Sequence, residues 1–426
     1  MSILPLHLQR WGSVWRSPRQ WQRRAAFLLG AVAVGLAAAA FAALADWSQE
    51  LFLALREYSL LLTSVATVVG FVLCAEITRR YAPGARGSGI PQAIAARRRE
   101  TAAERAPLVG FKVTALKVVL TLFGLSIGAA IGREGPTVQL GASIMFLVGN
   151  FAGLRQKSGL VLAGAAAGVA GAFNTPLAGI VFAIEELAKS YDRRVNALVV
   201  GAVAVAGVTS IVIAGNYHYF GNVRESFELR WYWSAVPVCA IFGGIAGGGF
   251  SAAVIHFAFN RSRLARAIKT RPVLFAAGCG LIVALLGLAT GGYANGTSYH
   301  ETRAALETGI GLPWWYGFAK LGSTMLSSIS GIPGGLFSPS LSVGAALGQC
   351  VDWMMPGVPS SMIFLLMMAA YFAAVVQAPL TAFVIVLEMT AETSMALPLM
   401  LTTLTAAAIS RLICPVPLYH ALSRSF

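Results

Sequence analysis

Long apolar runs separated by short, arginine-rich stretches dominate this chain. Runs at roughly 26–45, 59–77, 196–215, 232–258 and 272–290 carry very few charges, and each is about the 20 residues a helix needs to cross a bilayer. Between 107 and 188, and again between 313 and 413, the apolar segments are shorter and are interrupted by Gly, Pro and Asn. The pattern predicts an all-α polytopic membrane protein, with ten or more membrane helices in a single domain of 426 residues. Some of those helices are broken inside the membrane.

The interruptions are not scattered. Gly132, Pro136 and Gly141 recur as Gly335, Pro339 and Gly344, and "FNTPLAGIVFAIEE" (173–186) aligns with "VQAPLTAFVIVLEM" (376–389). Lys117 matches Lys320, and Glu185 matches Glu388, all at one offset of 203 without gaps. Alanine matches alone would mean little in so alanine-rich a chain, but a Lys, a Glu, and several Pro and Gly in one register mark an internal repeat. The chain therefore divides into a basic N-terminal segment (1–24), a first membrane repeat (25–215), a linker (216–231) and a second repeat (232–426). Paired interrupted segments in corresponding halves point to a transporter with its substrate site at the repeat interface. Broken helices from both halves meet most simply at mid-membrane if the second half is inverted.

Composition agrees: 57% of residues are hydrophobic and 12% are charged, well below the roughly 25% charged of soluble domains. The net charge of +15 would suggest nucleic acid in a soluble protein. Here the arginines cluster in "RSPRQWQRR" (16–24), "ARRRETAAER" (96–105), "KSYDRR" (189–194) and "NRSRLARAIKTR" (260–271). The positive-inside rule assigns such loops and the N-terminus to the cytoplasm, with anionic membrane lipids as the partners of the charge, and no nucleic acid is called for. The basic lead is too long for a signal peptide, so 1–24 reads as an interfacial segment before the first membrane helix. Five cysteines and five histidines are dispersed without metal, disulfide or triad spacing. Neither a cofactor nor an enzymatic centre is expected.

Glycine followed by proline and an apolar stretch is a helix start, since Pro suits the first turn and Gly leaves the backbone open. Three stand out: "GSGIP" (Gly87, Ser88, Gly89, Ile90, Pro91), "GREGP" (Gly132, Arg133, Glu134, Gly135, Pro136) and "GGLFSP" (Gly334 to Pro339, including Gly335 and Ser338). A helix that begins inside the membrane presents unpaired N–H groups, equivalent to about half a positive charge. Several such ends converging would hold an anion with partial charges. These offset desolvation without trapping the ion as a full counter-charge would, and transport requires release as well as binding.

Glu134 then has two readings. Its carboxylate lies at the N-terminal end of the helix after Pro136, where it could compete with an anion when ionised and withdraw when protonated. It could equally be a helix cap paired with Arg133. Glu185 and Glu186 end an apolar run beside a basic stretch, where surface carboxylates are ordinary. Glu185, having Glu388 as its repeat counterpart, reads as architectural. Glu186 faces Met389 in the alignment and is the better candidate for a role unique to one half, because ionisable groups at membrane depth mark proton paths and similar functions. Ser88 could be a helix N-cap, and Tyr419 an interfacial aromatic.

Together, "GSGIP", "GREGP", "GGLFSP", the intervening "AFNTPLAGIVFAIEE" and Tyr419 in "PVPLYHAL" resemble the CLC family of chloride channels and chloride/proton antiporters, over about residues 25–422. The resemblance implies a homodimer with one pathway per subunit, each subunit built from two inverted halves. It implies a central chloride held by the hydroxyls of Ser88 and Tyr419 and the backbone N–H groups of Leu336 and Phe337. Glu134 corresponds to the external gating and proton-accepting glutamate, and Glu186 to the internal proton-transfer glutamate of the antiporters. Its presence favours exchange over a passive channel, and Ser88 favours chloride over nitrate. Gln92 departs from the Glu that many relatives carry, which alters the proton route or merely the start of that helix. The chain stops seven residues past Tyr419, so the expectation is a bacterial inner-membrane form without the regulatory domains of many eukaryotic members. The competing class is a cation-coupled carrier of organic solutes. That class needs carboxylates or exposed carbonyls for its cation, and the hydroxyl- and glycine-rich helix starts argue against it.

Overall fold

The computed structural model describes residues 18–153, 157–188, 193–215, 219–221, 231–260, 262, 270–390 and 392–426. Residues 1–17 of the basic lead and most of the 189–194, 216–231 and 260–271 stretches lie outside the described residues. In the first half the helices are α1 (Pro18–Tyr58), α2 (Leu60–Tyr81), α3 (Ile90–Arg98), α4 (Ala102–Val109), α5 (Phe111–Ser126), α6 (Glu134–Phe151), α7 (Lys157–Phe173), α8 (Pro176–Phe182) and α9 (Arg193–Ala214). In the second half they are α10 (Ala235–Phe259), α11 (Pro272–Ala289), α12 (Tyr299–Thr308), α13 (Trp314–Ile329), α14 (Phe337–Asp352), α15 (Ser360–Val376), α16 (Pro379–Thr390), α17 (Ala396–Ile413) and α18 (Leu418–Ser423). Helix α8 runs on into a π-helical turn, Ala183–Ala188.

The offset of 203 is visible in the backbone. Helices α5 and α13, α6 and α14, α7 and α15, α8 and α16, and α9 and α17 all begin at residues related by it. So do the left-handed residues that end segments, Gly128 (φ 79°) with Gly331 (φ 85°), and Asn174 (φ 58°) with Gln377 (φ 59°). Gly132 and Gly335 pair in an antiparallel bridge, each N–H donating to the other's carbonyl at 2.8 and 2.7 Å. Equivalent residues that bond reciprocally and antiparallel place a pseudo-two-fold axis between them. Helices α6 and α14 consequently leave that point in opposite directions, which is the inverted arrangement expected.

Seven helical segments among the described residues are long and apolar enough to cross a bilayer, and α7, α15 and α16 are apolar but shorter, as segments interrupted by Gly, Pro and Asn would be. Helix α15 is buried from Ser361 to Val376 and forms the centre of the second half, as α7 does in the first. Small residues let these helices approach closely. A Cβ on Gly141 of α6 would meet the Gly164 carbonyl of α7 at 2.1 Å, and one on Gly164 would meet the Gly141 carbonyl at 2.2 Å. Such small-residue crossings take the place of hydrophobic burial as the source of packing inside lipid.

Lys117 and Lys320 are fully buried and do the same job twice. Lys117 donates to the carbonyls of Ala85 (2.8 Å) and Gly87. Lys320 donates to Ala294, Asn295 and Gly296. Each ammonium thus gathers carbonyls of an irregular segment, which at this depth must be satisfied by protein.

Candidate functional site

The three glycine-bearing helix starts meet at one place. Besides the Gly132–Gly335 pair, Gly87 donates to Ile332 at 3.1 Å and Gly334 donates to Gly87 at 3.0 Å. Gly135 touches Ser88 so closely that a Cβ there would lie 2.4 Å from the serine Oγ and 3.2 Å from the Gly335 Cα. All three N-termini therefore point their electropositive ends into one neighbourhood, and glycine is what permits the backbone contact.

Glu134 is fully buried, and its carboxylate accepts from the Ser338 hydroxyl and, at 3.4 Å, from the Ser338 N–H. This corrects the sequence-based placement. The carboxylate does not rest on the start of its own helix α6 but crosses the pseudo-axis to the start of α14. Nor does Arg133 pair with it. Arg133 donates at 2.6 Å to both the Asp46 carboxylate and the Ala42 carbonyl of α1, and lies over the Tyr219 ring at 5.7 Å. Tyr219, whose hydroxyl is 3.3 Å from Ser338 Oγ, was not singled out in the sequence. It belongs to a short segment without periodic pattern, so only proximity in the fold reveals it. A cavity of about 240 Å³, lined among others by Asp46, Arg133, Glu134, Tyr219, Thr297 and His300, leads to the carboxylate.

On the other side of Gly135 lie Ser88 and Tyr419. Both hydroxyls are buried and neither meets hydrogen-bond geometry with a protein group, although they are near neighbours. Gly89, not Ser88, occupies the cap position of α3, and no side chain caps that helix, so the N-cap reading of Ser88 fails. Tyr419 is fully buried with its ring 5.9 Å from that of Phe337, which also excludes an interfacial aromatic. Buried hydroxyls normally have partners. Two of them orphaned beside the Leu336–Phe337 turn, where α14 presents its first N–H groups, make a donor set suited to an anion.

A family model described as voltage gated chloride channel matches residues 70–411. The chain belongs to that family. The H(+)/Cl(-) exchange transporter ClcA of Yersinia pestis is 33% identical over 419 residues, covering 92% of this chain and 85% of that protein. ClcA of Salmonella agona is 29% identical over 418 residues, covering 91% and 85%. Among solved structures, a slow cyanobacterial Cl-/H+ antiporter superposes with a TM-score of 0.78 at 24% identity, covering 95% of this chain and 97% of that one. A CLC-type fluoride/proton antiporter gives 0.76 at 22%, covering 94% and 98%. At these identities the structural likeness speaks for the fold, and it bears out the CLC-like architecture.

Within this CLC frame the remaining carboxylates separate. Glu185 accepts from the N–H groups of Leu380 (3.1 Å) and Thr381 (2.6 Å) at the start of α16. Glu388 accepts from Leu177 (3.1 Å) and Ala178 (2.7 Å) at the start of α8. Each half caps a helix of the other, so Glu185 is architectural as its repeat position implied. Glu186 is buried in the π-helical turn, with His420 Nε2 3.7 Å from its carboxylate. Such turns often mark functional positions within helices. Gln92 donates to the carbonyls of Gly84 (3.0 Å) and Arg86 (2.6 Å). An ionised Glu could not donate there, so the departure at 92 secures the loop before Ser88.

Proposed function

We propose that this chain is a secondary active transporter exchanging chloride for protons, as its ClcA relatives are named to do, with no cofactor beyond the transported ions. One observation carries the reading: the Glu134 carboxylate occupies the N-terminus of a helix from the opposite repeat, the position the electrostatics reserve for an anion. An ionised Glu134 excludes chloride from that position. A protonated one loses its attraction to the N–H groups and yields it. Gate opening and proton binding are then one event.

Chloride is held deeper by Ser88, Tyr419 and the Leu336 and Phe337 amides. The supporting glycines and prolines of the three helix starts (Gly87, Gly89, Ile90, Pro91; Gly132, Arg133, Gly135, Pro136; Gly335, Ser338, Pro339) shape the passage. Glu186 exchanges protons with the cytoplasmic side. Its burial in a π-turn supports that role, and an internal acid favours exchange over a passive channel, which would need none. The chain is set in a bacterial inner membrane with its N-terminus cytoplasmic, among anionic lipids and as a homodimer.

The test is reconstitution in vesicles: an imposed chloride gradient should drive protons uphill. Absence of uphill proton movement in the unmutated protein makes it a channel instead. Tyr419→Ala should weaken chloride binding measured by calorimetry, and unchanged affinity would remove Tyr419 from the site.

A further inference from the structure

One ring lies against the Glu186 turn. His420 Nε2 is 2.8 Å from the backbone carbonyl of Glu186 and 3.7 Å from its carboxylate Oε1. Its other nitrogen, Nδ1, is 3.0 Å from Arg98 Nη2. A carbonyl can only accept, so Nε2 carries the proton. A guanidinium can only donate, so Nδ1 is the acceptor. The partners thus fix one neutral tautomer, with its N–H directed at Glu186 and its basic nitrogen directed at an exposed arginine. The His420 side chain is 12% exposed and that of Glu186 2%, so the ring is the more open of the two to water. Arg97 braces the same turn, donating to Leu187 (2.9 Å) and Ala188 (3.0 Å).

Other charged groups among the described residues lie on the neighbouring elements. The π-turn contributes Glu185, which is committed to the start of α16, and α3 contributes Arg97, Arg98 and Arg99, the last held by the Phe426 carbonyl at 2.8 Å. Helices α10 and α15, which also pack on α18, carry no Asp, Glu, Lys or Arg, and the His256 of α10 is exposed. Among the described residues, the ring meets Glu186 and Arg98 directly.

We infer that His420 is the positioning residue of the internal proton step, holding Glu186 through Nε2 and making proton loading from the cytoplasm respond to the charge state of the ring. This rests on Glu186 being the internal proton-transfer group. An ordinary imidazole takes its second proton near pH 6.5 or so. When Nδ1 is protonated it can no longer accept from Arg98, and the two cations repel. The imidazolium then faces the carboxylate 3.7 Å away and favours its ionised form. Loading a proton onto Glu186 accordingly requires a more acidic cytoplasm than it would beside a neutral side chain.

The experiment uses full-length protein inserted in one orientation in vesicles, with pH set separately on each face and both proton and chloride flux recorded. His420→Gln keeps an N–H donor for the Glu186 turn but cannot become a cation. Its cytoplasmic-side profile should reach half-maximal exchange at a pH higher by about one unit, with the external-side profile unchanged. Arg98→Gln removes the competing cation, lets the ring charge more readily, and should move the midpoint the other way. Profiles that overlap the parent's, or that move together, would overturn the inference, since a purely structural latch is preserved in His420→Gln. Glu186→Gln run alongside separates the two readings. If Glu186→Gln uncouples protons while His420→Gln changes nothing, the role of His420 alone is lost. If Glu186→Gln leaves coupling intact, the proposal for Glu186 falls and this one with it.

Discussion

The two halves of the molecule share a backbone and differ in their chemistry. Where a residue has its like at the offset of 203, it builds: Lys117 and Lys320 collect carbonyls, Gly132 and Gly335 join the halves, and Glu185 and Glu388 cap each other's partner helices. Two carboxylates of the proposed pathway have no such counterpart: Glu134 stands opposite Phe337 and Glu186 opposite Met389. A two-fold frame can bring helix ends from both halves to one point, but a transport cycle needs an outside and an inside that respond differently. The difference teaches that symmetry supplies the electrostatic setting, and departures from it supply direction.

The largest expected effect is a split among the glutamates by symmetry class. Glu134→Gln and Glu186→Gln should each abolish uphill proton movement, with chloride still flowing, and the flux of Glu134→Gln should lose its pH dependence. Glu185→Gln and Glu388→Gln should keep proton coupling. A coupled Glu134→Gln, or an uncoupled Glu388→Gln, would break the comparison at its centre. Vesicle flux measurements with a proton-sensitive readout decide it.

Next come the lysines. Lys117→Met leaves the Ala85 carbonyl without a donor, Gly87 keeping that of Gly334, and Lys320→Met leaves three carbonyls without one, each at a cost of about 1–3 kcal/mol. Lys117→Met and Lys320→Met should both lower the unfolding midpoint in detergent. A large loss at one and none at the other would show that the two pockets are not equivalent. Smaller effects should follow from the paired caps. Each amide in place of carboxylate weakens charge-assisted bonds to two N–H groups, costing about 1–2 kcal/mol, and the two variants should agree.

Much of the frame was legible in the chain. One register of Lys, Glu, Pro and Gly gave the repeat, and the same register sets where five pairs of helices begin. Glycine and proline marked the three helix starts that converge. The contacts across the axis were not legible. That the carboxylate of Glu134 rests on α14 rather than α6, that Arg133 belongs to Asp46, and that His420 lies between Arg98 and the Glu186 turn are meetings of residues far apart in sequence. Helix period and capping rules act over a few residues and carry no information about them. The pairing of Glu185 with Glu388 held an unused clue. Two acids at equivalent repeat positions, each nine residues after the start-of-helix proline, are placed to reach across a two-fold axis.

The smallest predicted effect tests where symmetry of backbone stops being symmetry of energy. Asn174 and Gln377 hold the same left-handed conformation, which glycine adopts without steric cost but with more entropy to lose on folding. Asn174 is only partly buried, and its side-chain amide reaches the Gly215 carbonyl at 3.4 Å. Gln377 is buried, and its amide donates to the Cys414 carbonyl at 2.5 Å and lies 3.3 Å from the Ser410 hydroxyl, tying α15 to the end of α17. Asn174→Gly should therefore cost less than Gln377→Gly, relief of the backbone offsetting part of what the half-buried side chain contributes. Gln377→Gly leaves the Cys414 carbonyl without that donor and should cost about 1–2 kcal/mol. Thermal unfolding of the two variants in the same detergent measures the gap. Equal midpoints would mean that the shared turn alone sets the energy at both positions, and that the tie from α15 to α17 contributes nothing to the second half.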